Sequence, residues 1–188
     1  VISAELKNTL GETVRTAEAV TGADGNFTVT FIAPAGSFEE YTLLVKENGK
    51  TFRTLNNVIF GELWLAGGQS NMQYPLAQAK TAAEDFAKGA KQSKWIRALL
   101  VPAYPEYKGS DALVPSEPQE DIKDAVWVSG EDSAIYSMSA VGFFFAEELV
   151  EKLGMPVGIL NANLGGSTIR SWLSREAIDS DKEVKAYL

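Results

Sequence analysis

Val58-Ile-Phe-Gly-Glu-Leu-Trp-Leu-Ala66, followed directly by Gly67-Gly-Gln-Ser-Asn-Met72, is the stretch whose reading decides the fold. The run is apolar at nearly every position rather than at every second one, the pattern of a strand covered on both faces in a parallel sheet. Gly67 and Gly68 then permit a tight turn, and Ser70 stands where a helix starts. Strand, Gly-rich turn and helix in that order put Ser70 at the carboxyl end of a sheet strand, where ligands sit in open α/β folds.

The same texture recurs on the C-terminal side. Trp95–Val101 reads as a second buried strand, and Pro156–Asn163 as a third that runs into Leu164-Gly-Gly-Ser-Thr168. Ala77–Lys91 is Ala- and Lys-rich and reads as helical, while residues 102–126, rich in Pro, Asp and Glu, read as a surface excursion. The strongest helix is Ser139–Leu153: Ser139 caps it, Val141, Phe145 and Leu149 form an i, i+4 stripe, and Gly154 and Pro156 end it. Strands alternating with helices predict an α/β fold with a three-layer parallel sheet over residues 58–188.

Residues 1–57 have a different character. Asp24-Gly25 and Asn48-Gly49 are hairpin-type dipeptides, and Phe27, Val29 and Phe31 alternate with threonines. Tyr41, Leu43 and Val45 alternate as well, and Pro34-Ala-Gly36 separates the two runs. This region is expected to be part of an antiparallel β-sandwich, a scaffold with no chemistry of its own.

Composition narrows the functions. The chain has 188 residues and a formal charge of -8, which argues against nucleic acid because phosphate binding calls for a basic stripe. No apolar run approaches the roughly 20 residues of a membrane-spanning helix, so no membrane partner is expected. With no cysteine and no histidine, a disulfide framework and a thiolate metal site are impossible, and the commonest metal ligand and general base are missing. Neither a metal nor an organic cofactor is expected. The chain opens on Val1, without Met or a leader pattern, and is expected to begin inside a longer polypeptide. Asn26-Phe-Thr28 fits a glycosylation sequon, a pattern that also arises by chance.

Two loops carry candidate chemistry. Ser70, with Oγ exposed on a tight turn and backbone N–H groups at a helix start beside it, fits a nucleophile with an oxyanion donor; on local chemistry alone a helix cap is the commoner role. The Gly165-Gly166 loop fits a second source of oxyanion N–H groups, or an ordinary strand-to-helix turn. Gln69 and Asn71, on either side of the serine, are candidate substrate-binding residues. Arg170 fits a bidentate partner for a sugar carboxylate, although a solvated helix-face arginine is the commoner role.

A family resemblance changes the balance. Gly61-Glu-Leu-Trp-Leu-Ala-Gly-Gly-Gln-Ser-Asn-Met72 with Tyr74-Pro-Leu76 resembles the first block of the sialate O-acetylesterase-like carbohydrate esterases of the SGNH-hydrolase superfamily. Ile96-Arg97, Val101-Pro102, Trp127, Ser139-Ala-Val-Gly-Phe-Phe144, Leu153-Gly-Met-Pro-Val-Gly-Ile159, Gly165-Gly-Ser-Thr-Ile169 and Trp172 resemble later blocks in the same order. Even Asp24-Gly-Asn-Phe27 resembles a turn in the family's N-terminal β region. The resemblance implies a flavodoxin-like sheet, a Ser70 nucleophile and an oxyanion hole from the N–H groups of Ser70 and of Gly165 or Gly166, with a later polar side chain. It implies an acetylated carbohydrate, such as an O-acetyl sialic acid, as substrate.

It also implies an Asp-x-x-His segment, which this chain lacks, so the 188 residues are expected to be the N-terminal part of the esterase and inactive alone. The alternative is a non-catalytic carbohydrate-binding or structural fragment of the same fold. A sheet left incomplete is expected to self-associate or to recruit a chain that supplies the rest. Exported bacterial relatives give a lean toward an extracytoplasmic location.

Overall fold

The computed structural model describes residues 1–79, 93–102 and 121–186, in two compact units. The first comprises Val1–Glu62 and Leu149–Val157; the second comprises Leu63–Glu148 and Gly158–Leu188.

The first unit is built on one antiparallel sheet of β1 (Ile2–Lys7), β2 (Thr13–Ala19), β3 (Tyr41–Glu47) and β4 (Lys50–Val58), in the order β2-β1-β3-β4. β1 is central, and its period-2 pattern buries Ile2, Ala4 and Leu6 while the alternate residues stay half-buried. Tyr41 adds to this core, with Phe60 edge-on to its ring at 5.4 Å. Asn48 and Gly49 both take positive φ, 48° and 82°, the conformation that a two-residue turn between right-twisting strands demands. The expected sandwich is represented by one sheet among the described residues.

The alternating run Phe27–Phe31 forms no strand, contrary to its pattern. Its neighbourhood is committed otherwise. Asp24-Gly25 makes a self-contained turn, with Gly22 N–H bonded to the Asn26 carbonyl at 2.8 Å, and the Ile32 carbonyl accepts from Arg15 Nε at 3.0 Å. β-forming residues become a strand only where a neighbour offers a ladder and a face to pack on; Phe27 is exposed.

The remaining strands, β5 (Glu62–Leu65), β6 (Ile96–Leu100), β7 (Val126–Ser129) and β8 (Val157–Asn161), form a second sheet in the order β5-β8-β6-β7. Bonds from Glu62 N to Pro156 O and from Ala66 N to Leu160 O advance in step, so β5 and β8 are parallel. β7 is antiparallel to β6, pairing Arg97 with Ser129 and Leu100 with Val126. The sheet is therefore mixed, where an all-parallel one was expected. β7 is short and was hidden at the end of a polar stretch. β6 and β8 are buried strands as expected, but among the described residues β5 is an edge strand with Leu63 and Leu65 exposed. A continuous apolar run states what cover a strand calls for; it does not say that the described residues provide it.

Before Ser70–Gln73, a single helical turn (α1), the chain leaves β5; Leu76–Gln78 adds a 3-10 turn. The expected helix over Ala77–Lys91 otherwise lies outside the described residues, as does most of the expected excursion at 102–126. The long helix is α2, Ala140–Leu153. Its buried side chains are Ala140, Phe143, Ala146 and Val150, whereas Val141 and Phe145 of the expected stripe are exposed. Because Val141–Ala146 is apolar all round, periodicity there does not choose a face; Phe145 instead meets Trp64 edge-on at 5.2 Å. Ile169–Trp172 forms another 3-10 turn, and α3 (Arg175–Ser180) and α4 (Lys182–Ala186) are short. Leu76, Ile96, Ala98, Ile135, Met138, Phe143 and Ile159 form the core of the second unit.

Ser139 caps α2 as its position predicts: its Oγ accepts from Gly142 N at 3.1 Å, and the residue is buried. Ser139→Ala would leave a helix-end N–H without its acceptor, away from water. The substitution is expected to destabilise the chain by about 1–2 kcal/mol, measured as a lowered urea midpoint with an unchanged slope.

Candidate active site

The two Gly-rich turns meet at the carboxyl ends of β5 and β8. Gly68, at φ +144°, forms a parallel bridge with Asn163, and its carbonyl accepts from Leu164 N at 2.9 Å. This stitching follows from the strand order: parallel neighbours leave the sheet at the same edge, so the loops after them lie side by side.

Ser70 opens α1 in an exposed position. The Gln69 side-chain oxygen accepts twice from it, from the Ser70 backbone N–H at 3.1 Å and from the Ser70 hydroxyl at 2.7 Å. Asn71 is exposed on the same turn. Gln73 closes the turn, its N–H bonded to the Gln69 carbonyl at 2.9 Å. Its side-chain oxygen reaches across to accept from Gly165 N at 2.7 Å. A β-carbon at position 165 would stand 2.4 Å from that oxygen and 3.8 Å from Ser70 Oγ. Glycine at 165 thus leaves room for the Gln73 oxygen, and the structure brings Ser70, Gln69 and Gly165 together. Gly166 follows at φ +80°. Trp172 Nε1 donates to Ser167 Oγ at 2.9 Å, buttressing the loop's far side. Arg170 falls in the adjacent turn, but its side chain lies outside the described residues.

Beneath the turns is a polar network that sequence reasoning missed. The buried Asn161 Oδ1 accepts from Ser139 N at 3.0 Å and from Asn163 Nδ2 at 2.9 Å. The Ser139 hydroxyl meets Met72 Sδ at 3.2 Å, and Ala140 N donates to the Tyr74 carbonyl at 2.9 Å. The network ties the start of α2, the end of β8 and the serine turn into one frame. The sequence signal for it is Asn161-Ala-Asn163, two amides at alternate positions where a buried strand ends. Gln73, Asn161 and Asn163, with Ser137, Asp124 and Val101, line a cavity of about 290 Å³. Its amide and hydroxyl groups suit the hydroxyls of a small polar molecule.

The hydroxyl of Ser70 meets an amide oxygen, an acceptor with no basicity near neutral pH. Among the described residues, no cluster of three or more Asp, Glu, His or Cys side chains is arranged to hold a metal ion. The arrangement therefore offers an exposed hydroxyl with backbone donors beside it, and a neighbouring cavity of mixed polar and apolar lining to which Gln73 contributes.

No family model matches this chain. Rat sialate O-acetylesterase is 31% identical over 147 residues, which cover 77% of this chain and 26% of that protein. A crystal structure of a carbohydrate acetylesterase from Xanthomonas citri aligns with a TM-score of 0.71 at 29% identity, covering 97% of this chain and 38% of that one. The chain is thus similar to sialate O-acetylesterases over about three quarters of its own length. The human sialate O-acetylesterase is 27% identical over 155 residues, 77% of this chain and 27% of that protein. The chain spans about a quarter of the length of the curated relatives it matches.

Proposed function

We propose that this chain supplies the nucleophile and part of the oxyanion hole of a serine carbohydrate O-acetylesterase, whose intact polypeptide removes O-acetyl groups from sialic acid or a related acetylated sugar. The observation that carries the reading is the approach of the Gly165 loop to the Ser70 turn at the carboxyl ends of two parallel strands. Ser70 Oγ would attack the acetyl carbonyl carbon. The oxyanion that forms would be held by backbone N–H groups of Ser70 and of Gly165 or Gly166. Collapse expels the sugar hydroxyl and leaves Ser70 acetylated; water then releases acetate. Gln69 and Asn71 flank the serine and are assigned to substrate binding.

The base that takes the hydroxyl proton has to come from outside these 188 residues, which hold no histidine. In this reading residues 58–188 are one portion of a three-layer SGNH-type domain, and residues 1–57 a partial β-sandwich region. The exposed edge at Leu63 and Leu65 supports completion of the sheet by a further segment or a second chain.

The test is acetate release by the full-length polypeptide from an aryl acetate and from 9-O-acetyl sialic acid. Release from both is expected; an aryl acetate alone being cleaved would move the substrate away from sialic acid. Release from neither would overturn the esterase reading and favour a non-catalytic sugar-binding role, which the missing histidine also favours for this chain in isolation.

A further inference from the structure

We infer that Gln73 is a displaceable stand-in for the acetyl carbonyl oxygen, and so sets how readily substrate enters the oxyanion hole; the inference rests on the esterase reading above. The Gly165 N–H is one of the donors assigned to the oxyanion, yet in this structure it is already engaged, at 2.7 Å, by Gln73 Oε1. A backbone N–H needs an acceptor, so the side-chain oxygen and not the nitrogen of Gln73 faces it. That oxygen is an sp² carbonyl oxygen of an uncharged group, as is the acetyl oxygen it would give way to. It also lies on the side of Gly165 that faces the nucleophile, because a β-carbon there would meet both Gln73 Oε1, at 2.4 Å, and Ser70 Oγ, at 3.8 Å.

One N–H makes one good hydrogen bond at a time, so the Gln73 oxygen and a substrate oxygen compete for it. The contact spans 92 residues of sequence and joins an exposed side chain to an exposed loop, where exchange of partners is easy. Gln73 also lines the neighbouring cavity, which gives the displaced amide polar partners to turn toward. Gln69 makes the same kind of contact on the other side, its oxygen on the Ser70 N–H. The Ser70 and Gly165 N–H groups thus each hold a neutral amide oxygen in this structure.

The test uses the full-length polypeptide and steady-state hydrolysis of 4-nitrophenyl acetate. Gln73→Ala and the similar-sized Gln73→Met remove the competitor, and kcat/KM is expected to rise about fivefold in each, the worth of one neutral hydrogen bond. Inhibition by methylboronic acid, whose adduct oxygen enters the hole, is expected to strengthen by a similar factor. Gln73→Glu places a charged, stronger acceptor on the N–H and a negative charge where another must develop, and is expected to lower kcat/KM by roughly 10²-fold. A fall in kcat/KM for both Gln73→Ala and Gln73→Met, with the fold intact by circular dichroism, would overturn the inference and make Gln73 a clip that holds the loop. If those variants do not fold, the wild-type protein decides by nitrogen-15 NMR. Methylboronic acid is expected to shift the Gly165 amide and the Gln73 side-chain amide together, and an unmoved Gln73 amide would overturn the inference. Ser70→Ala in the same assay keeps the two readings apart: activity that survives it refutes the nucleophile, whatever Gln73 does.

Discussion

Replacing Ser70 with alanine in the full-length polypeptide is expected to lower kcat/KM for aryl acetates by roughly 10⁴-fold, with the fold unchanged. The magnitude follows from interdependence. On the proposed mechanism the oxygen that forms the covalent bond is then gone, and the remaining donors stabilise only the slow attack of water. Nothing beside Ser70 can substitute: Gln69 contributes an amide, and Asn71 another. The substitution also removes a hydroxyl that is exposed and bonded only locally, so stability is expected to be nearly unaffected, and a lost rate reports chemistry. The 188-residue chain by itself is expected to behave like the alanine variant, because a serine hydroxyl without a positioned base is a weak nucleophile and the chain contains no histidine. Measuring acetate release from the full-length protein, its Ser70→Ala variant and the isolated chain checks both statements. An alanine variant as fast as wild type would remove Ser70 from the mechanism; an isolated chain as fast as the full-length protein would show that the base lies within these residues.

Gly130→Ala is expected to destabilise the chain by about 3 kcal/mol or more. Gly130 follows β7, is buried, and donates to the Ile96 carbonyl at 3.0 Å. A β-carbon there would stand 1.8 Å from the Ser93 carbonyl oxygen and 2.4 Å from its carbon. Those atoms are backbone at the entrance to β6, so no side-chain rotation relieves the overlap. Either β7 parts from β6 at this end, losing the bond to Ile96, or the segment before β6 moves and disturbs the buried Trp95 and Ile96. Urea unfolding measures the effect: with a slope of about 1–3 kcal/mol per molar, the midpoint is expected to fall by about 1 M or more. A midpoint within experimental error of wild type would mean that β7 does not pack against residue 93 as described.

How far the sequence alone reached depended on what each residue pattern encodes. Asn48-Gly49 specified its turn because both positions require positive φ, a local demand that few residue types meet. Ser139 and Gly154 marked the ends of α2 for equally local reasons, a hydroxyl for a free N–H and a residue at φ +66°. The buried strands β6 and β8 and the two Gly-rich turns were legible from apolar runs and their punctuation, and those turns carry Ser70, Gly165 and Gly166. Tertiary structure decided the rest. Phe27–Phe31 has the alternation of a strand but no paired strand among the described residues, and a strand's stability resides in its pairing. Val141–Ala146 is apolar on every side, so only packing selected Phe143, Ala146 and Val150 over Val141 and Phe145. The contact from Gln73 to Gly165 joins residues whose separation in sequence carries no periodicity, and it exists because parallel strands β5 and β8 deliver their loops to one edge. Local conformation and strand-forming tendency are written residue by residue, but which face is buried and which distant groups meet depend on neighbours that only the folded chain supplies.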